Sequence, residues 1–142
     1  MGELSSAVRP TVLLVDDDPD VCDATAHMLA TRGFRVLTAS DQTSALDLLD
    51  EHRGEVSVVV ADLSLPGDTR GRLARALSAA HPYVKIVYAT GIPRHIALAT
   101  GLVHPDAPYL EKPVAPDVLA GVVRSLGNRA GGVPSRDGGE EW

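Results

Sequence analysis

Residues 12–21 read VLLVDDDPDV, in which four aliphatic residues run directly into three aspartates and a proline. An unbroken aliphatic run of this kind is typical of a strand that is buried on both faces of a parallel sheet. Asp18 and Pro19 form a helix-start signal, because aspartate caps the first free N–H groups of a helix and proline fits its first position. The stretch therefore predicts a buried strand that ends in acidic residues and leads at once into a helix.

The alternation of strand and helix continues along the chain. β-rich runs predict strands at residues 12–15, 34–39, 56–61, 84–89 and 108–110. After each strand, apolar residues recur at helical spacing. These apolar sets are Val21, Thr25, Met28 and Leu29; Ala45, Leu48 and Leu49; Leu73, Ala76, Leu77 and Ala80; residues 94–100; and Val118, Leu119, Val122, Val123 and Leu126.

Aspartate, proline and glycine residues mark the predicted starts and ends of the helices. Asp41 is a candidate cap for the second helix, and Pro116 is expected to open the fifth. Glycine commonly follows the last turn of a helix, and it does so here after the first, second and fifth predicted helices, at Gly33, Gly54 and Gly127. Five alternating units predict an α/β fold with a parallel sheet covered by helices on both faces. We expect a flavodoxin-like, doubly wound sheet of five strands in the order 2-1-3-4-5, with five helices.

Length, net charge, cysteine count and the lengths of the apolar runs exclude several classes of protein. The chain has 142 residues, about one domain, and a formal net charge of −6, which argues against direct contact with nucleic acid. A single cysteine, Cys22, allows no intramolecular disulfide, and no apolar run approaches the length of a membrane span, so we expect a cytoplasmic protein without membrane contact. We expect a flexible segment at residues 1–9, one domain at 10–127 and a flexible, glycine-rich tail at 128–142.

Polar side chains follow four of the predicted strands at the points where those strands end. Asp16 and Asp17 follow the first strand and Asp62 the third, while Thr90 and Lys112 follow the fourth and fifth. Ligands of open α/β sheets bind at the carboxyl ends of the strands, where strands 1 and 3 are adjacent in this order. The sequence therefore predicts that these five side chains meet at one edge of the sheet.

Three carboxylates in one place require a cation or a raised carboxyl pKa. At about 4 Å and an effective dielectric constant near 20, each like-charged pair costs roughly 4 kcal/mol. Mg²⁺ suits such a site because it binds one or two carboxylates and shares its other positions with water or phosphate. With Lys112 placed to meet an anion, the set predicts phosphoryl transfer to Asp62. Taken singly, Thr90 and Asp62 also fit turn residues and Lys112 a surface lysine, whereas Asp18 is better explained as a helix cap.

Four stretches together resemble the receiver domain of bacterial two-component response regulators. They are VLLVDDDPDV at 12–21, VVVADLSLPG at 58–67, VYATG at 87–91 and YLEKP at 109–113. The resemblance spans about residues 10–127. It implies that Asp62 receives the phosphoryl group from the phosphohistidine of a kinase or phosphotransfer protein, and that the chain is a phosphoacceptor and not a turnover enzyme.

The same resemblance implies further roles. Mg²⁺ would be ligated by Asp17, Asp62 and the backbone carbonyl of Ser64, with Asp16 acting through water. Lys112 would pair with the phosphoryl group, and Thr90 would move to hydrogen-bond it. Tyr109 matches the aromatic residue that moves inward with Thr90 and so reshapes a surface for a downstream effector or a second copy of the chain. The Lys112–Pro113 peptide bond would be cis.

The sequence departs from the family pattern at three positions. Gly71 lies five residues after Pro66 where four is usual, and Val114 stands where an aromatic residue is common. Ile92, two residues after Thr90, is apolar where polar residues also occur, and we hypothesise that it keeps hydrolytic water from the phosphoryl group.

Two alternatives remain open from the residues. One is a module of the same fold that signals by docking without phosphorylation, and the other is a Mg²⁺-dependent phosphohydrolase. Labelling of Asp62 by a small acyl phosphate would exclude the first, and steady turnover of a phosphate ester would reveal the second.

Overall fold

A five-stranded parallel sheet forms the centre of the protein. The structure is a computed structural model that describes residues 10–62, 72–103 and 105–132, the last five by backbone only. The strands are β1 (Thr11–Val15), β2 (Arg35–Ala39), β3 (Val56–Ala61), β4 (Lys85–Thr90) and β5 (Tyr109–Glu111). Their order is β2-β1-β3-β4-β5, and every neighbouring pair is parallel, which confirms the predicted fold and topology.

Five helices connect and cover the strands. They are α1 (Pro19–Thr31), α2 (Gln42–Glu51), α3 (Arg72–Ala80), α4 (Arg94–Ala99) and α5 (Pro116–Gly132). Both predicted aspartate caps are confirmed: Asp18 Oδ1 accepts from the N–H groups of Asp20 and Val21, and Asp41 Oδ1 accepts from that of Ser44 at 2.8 Å. In the described ranges no helix is both long enough and apolar enough to cross a membrane.

The predicted end of the fifth helix at Gly127 is wrong, because α5 continues to Gly132. A glycine ends a helix by adopting positive φ, as Gly33 and Gly54 do after α1 and α2 at 93° and 85°. Gly127 instead lies where α5 crosses β3, and a Cβ added there would lie 3.8 Å from side-chain atoms of Ser57 and Val58. A Cβ at this position would make ordinary van der Waals contact with β3, so Gly127 lies on the face of α5 that packs against the sheet. The proposed boundary between domain and tail at this residue remains a prediction.

The sheet separates two apolar clusters. On the side of α1 and α5, strand residues such as Val12, Leu14 and Val60 pack against these two helices. On the other side, alternate strand residues such as Leu13 and Val59 pack against α2, α3 and α4. Residues 12–15 of β1 and 58–61 of β3 contribute to both clusters, which is consistent with their unbroken aliphatic sequence. Their carboxyl ends lie side by side at the centre of the sheet.

Candidate functional site

Asp16, Asp62 and Lys112 meet at the carboxyl edge of the sheet. The Lys112 Nζ lies 2.7 Å from Asp16 Oδ2 and 2.9 Å from Asp62 Oδ2. Backbone hydrogen bonds extend the sheet pairing to the two acids: the Asp62 N–H donates to the Val15 carbonyl at 3.2 Å, and the Asp16 N–H to that of Ala39 at 3.1 Å. The adjacency of β1 and β3 thus brings the two carboxylates to one cation.

Burial makes this cluster electrostatically strong. Asp16 and Asp62 are only 6% and 7% exposed, while the Lys112 side chain is 29% exposed. Burial by itself lowers the pKa of Lys112, but the hydrogen bonds and charges of Asp16 and Asp62 outweigh it, so the pKa of this lysine is raised. Lys112 therefore stays protonated at neutral pH and offsets part of the repulsion between the two acids.

Asp17 lies outside this three-residue cluster. Its side chain is exposed, and within residues 10–62, 72–103 and 105–127 it forms no ion pair. In the described part of the chain, no three acidic, histidine or cysteine side chains are grouped so as to hold a metal ion. Ser64, whose carbonyl was predicted as a ligand, lies outside the described residues. The donor chemistry nevertheless fits Mg²⁺, because this ion needs only one or two carboxylates and keeps several waters.

Thr90 is fully buried at the end of β4, close to the cluster in the fold. The Lys112 N–H donates to its carbonyl at 2.8 Å, which joins β4 to the residue after β5. Its hydroxyl accepts from the N–H of Ile92 at 3.4 Å and so engages its own loop. The structure therefore places Thr90 at the end of β4, with its hydroxyl engaged by the N–H of Ile92.

Tyr109 is half-buried on β5 and contacts the same loop. Its hydroxyl donates to the carbonyl of Ile92, and its ring centroid lies 6.3 Å from that of Tyr88. Burial and then the negative charges of Glu111 and Asp62 raise the pKa of Tyr109, so its hydroxyl remains a donor. The Lys112–Pro113 bond is cis, as the resemblance implied.

Two features of this region were not predicted. One is the backbone carbonyl of Ile92, which joins the Thr90 loop to Tyr109. The other is a cavity of about 410 Å³ between α1 and the start of α5, with mainly aliphatic walls and with Asp16, Asp62 and Lys112 among its lining. No sequence signal distinguishes these features, since carbonyls are present at every residue and the cavity walls use ordinary core residues.

Comparison with known proteins gives a consistent result. The sequence model of the response regulator receiver domain matches residues 12–124. The chain is 34% identical over 118 residues to the sensor kinase CckA of Brucella abortus, covering 82% of this chain and 12% of that protein. It is 31% identical over 119 residues to the transcriptional regulatory protein CreB of Escherichia coli K12, covering 83% and 51%. The chain thus spans about half of CreB and a small part of CckA.

Solved structures agree with the sequence relatives. The signal receiver domain of an HD domain-containing protein from Pseudomonas fluorescens Pf-5 superposes with a TM-score of 0.74 at 27% identity, over 87% of this chain and 98% of that domain. The family match spans four-fifths of the chain and contains Asp16, Asp62, Thr90 and Lys112. This chain therefore belongs to the response regulator receiver domains of two-component systems.

Proposed function

We propose that this receiver domain accepts a phosphoryl group on Asp62 in a Mg²⁺-dependent reaction and thereby switches a partner-binding surface. The observation that supports this proposal is the sharing of one lysine between two buried carboxylates, at 2.7 and 2.9 Å, on the carboxyl edge of the sheet. A structural ion pair needs only one acid for each cation. A second buried acid is costly unless the site takes up additional positive charge.

The proposed metal ligands are those that the family resemblance implies. Asp62 and Asp17 would ligate Mg²⁺ together with the Ser64 carbonyl, and Asp16 would contribute through water. When bound, the ion offsets negative charge on the phosphoryl oxygens. Asp16 and Asp62 already lie side by side, whereas Asp17 and Ser64 are assigned by the resemblance.

Asp62, Lys112 and Thr90 have separate roles in the proposed phosphoryl transfer. A carboxylate oxygen of Asp62 forms a bond to phosphorus while the bond from phosphorus to the donor's imidazole nitrogen breaks, and the electron pair leaves with the imidazole. Protonated Lys112 pairs with the transferred group, and the Thr90 hydroxyl leaves Ile92 to hydrogen-bond it. Asp62 is modified and does not turn over, so the domain is a phosphoacceptor that promotes its own phosphorylation and dephosphorylation.

The partners follow from this chemistry. The donor is a histidine kinase or a phosphotransfer protein, and the similarity to a sensor kinase is consistent with attachment to a kinase or interaction with one. The output is a downstream effector protein, or a second copy of the chain, bound to the surface of β4, α4, β5 and α5. We place this signalling in the cytoplasm.

Acyl phosphate labelling tests the proposal. Incubation with Mg²⁺ and acetyl phosphate should add one phosphoryl group per chain, measured by intact-protein mass spectrometry. EDTA or Asp62→Asn should abolish the addition, and Asp47→Asn, an exposed acid on α2, should not. Absence of the label in the wild-type protein would contradict the proposal and favour docking without phosphorylation.

A further inference from the structure

The segment between β4 and α4 is held by side chains from β5. Tyr109 and Glu111 are two residues apart in β5, so they project from the same face of the sheet. Thr90 and Glu111 are paired across the two strands. Tyr109 donates to the carbonyl of Ile92, and Glu111 Oε2 accepts from the N–H of Arg94 at 2.9 Å. The last residue of β5 thus fixes the first residue of α4.

Glu111 replaces a cap that α4 itself lacks. Pro93 occupies the cap position and forms no side-chain cap bond, whereas α1 and α2 use Asp18 and Asp41 from their own sequence. The Arg94 guanidinium also donates to the carbonyl of Pro105, on the loop that precedes β5. With only six residues, α4 has few internal hydrogen bonds, so these contacts contribute strongly to its position.

Two hydrogen bonds, one at each end, limit how the segment from Thr90 to Arg94 can move. At one end, the Lys112 N–H holds the Thr90 carbonyl at 2.8 Å, so the backbone of Thr90 is fixed to β5. At the other end, Glu111 holds Arg94. Under the proposed function the Thr90 hydroxyl leaves the N–H of Ile92, which frees residues 91–93 from one of their contacts. The contact between Glu111 and Arg94 then limits how far these residues can rearrange.

We propose that Glu111 is a latch: by holding the N–H of Arg94 it resists displacement of the start of α4 and so lowers the population of the switched state. This inference rests on the proposed phosphorylation of Asp62. Only molecules in the binding-competent state bind, so the observed affinity falls in proportion to the fraction of molecules in that state. A latch that disfavours the switched state therefore also weakens binding of a phosphoryl analogue. Removing the latch should therefore strengthen that binding although Glu111 does not contact the analogue.

Hydrogen exchange and analogue binding together test the latch. In Glu111→Ala, exchange of the backbone amides of α4, measured by NMR without any ligand, should be about tenfold faster, as expected for loss of one charge-assisted hydrogen bond. The Kd of beryllofluoride with Mg²⁺, measured by calorimetry, should fall about threefold to tenfold. Glu111→Gln keeps an acceptor oxygen but loses the charge, so it should lie between wild type and Glu111→Ala in both measurements. Asp47→Ala, which removes an exposed acid far from α4, is the matched control.

The possible failures can be told apart. Unchanged exchange in Glu111→Ala would overturn the latch. Faster exchange with an unchanged or higher Kd would show that Glu111 only stabilises α4 and would overturn its role in switching. Absence of beryllofluoride binding by the wild-type protein would instead contradict the proposed function, and the switching role of Glu111 with it, whatever the exchange rates show.

Discussion

Asp62 and Lys112, fifty positions apart in the sequence, are joined by a 2.9 Å ion pair at the carboxyl edge of the sheet. The same ammonium lies 2.7 Å from Asp16, so one cation serves two buried acids. Lys112→Gln should lower the free energy of unfolding, measured with urea in the absence of divalent ions, by about 1–3 kcal/mol, because two buried carboxylates lose the positive charge that they share. Lys85→Gln, an exposed lysine on β4, is the control and should change little. Equal stability of Lys112→Gln and wild type would contradict this account.

Magnesium should stabilise the folded protein. Binding to the native state alone raises the free energy of unfolding by about 1.4 kcal/mol when Mg²⁺ is at about ten times its Kd. Thermal unfolding with Mg²⁺ against Na⁺ of equal ionic strength measures the effect. Asp62→Asn and Asp17→Asn should each remove most of it, and Asp47→Asn should not. A Tm that rises equally in all four proteins would show that the ion acts elsewhere.

Ile92 should control the lifetime of the phosphorylated form. Its side chain packs against the apolar cluster on the side of α4, and its N–H lies 3.4 Å from the Thr90 hydroxyl, next to the proposed site. Ile92→Glu, which brings a carboxylate and water to this place, should speed dephosphorylation about tenfold, less than the full contribution of a placed general base. Loss of the label after removal of acetyl phosphate measures the rate, with Ile92→Val as the conservative control. An unchanged or slower rate in Ile92→Glu would exclude a shielding role.

A further contact between a buried imidazole and an acid lies outside the proposed site. His81 is 6% exposed, and its Nε2 lies 2.9 Å from Asp50 Oδ1, which ties the residue after α3 to α2. Asp50→Ala should cost about 1 kcal/mol of stability in urea, because a buried imidazole nitrogen loses its partner. Asp47→Ala, one turn earlier on the same helix, should be close to neutral. Phosphorylation should be unchanged in both variants, and a loss of labelling in Asp50→Ala would contradict a purely structural role.

The cap of α2 should make stability depend on pH. The N–H of Ser44, followed by its hydroxyl, lowers the pKa of Asp41 below its ordinary value of 3.8. A lowered acid pKa contributes stability that is complete above the unfolded value and is lost as pH falls through the folded one. The stability difference between wild type and Asp41→Ala should therefore be constant from neutral pH to about pH 5 and shrink below pH 4. Asp41→Asn also caps well but does not titrate, so the stability difference between Asp41→Asn and Asp41→Ala should not change with pH. A difference between wild type and Asp41→Ala that persists undiminished at pH 3 would contradict the assignment.

Most strands and helices could be predicted because the residues that mark them lie within or directly before each one. The aliphatic runs of β1 and β3 mark strands buried on both faces, and Asp18 and Asp41 cap the helices that they precede. Strands β4 and β5 lie one residue later than predicted. Gly127 misled because one residue type occurs both after the end of a helix and on the packed face of one.

The convergence of the charged residues at the site could also be predicted from the sequence. Strand order alone places Asp16, Asp62 and Lys112 at one edge, so their convergence follows from topology. The hydrogen bond from Tyr109 to a backbone carbonyl and the capping of α4 by Glu111 depend on how β5 packs against the following helix. Such contacts join side chains to main-chain groups across strands, and no spacing along the chain encodes them.

The separation of the two apolar clusters has a consequence for genetics. The cavity beside Asp62 borders the side of α1 and α5, whereas Tyr109, Ile92 and α4 belong to the opposite side. Under the proposed function, substitutions at Val21 or Met28, which line this cavity, should slow the labelling of Asp62 but leave effector binding by labelled protein unchanged. Substitutions at Ile96, on α4, should weaken effector binding without slowing the labelling. The two kinds of variant should therefore form distinct phenotypic classes, because the sheet separates α1 from α4.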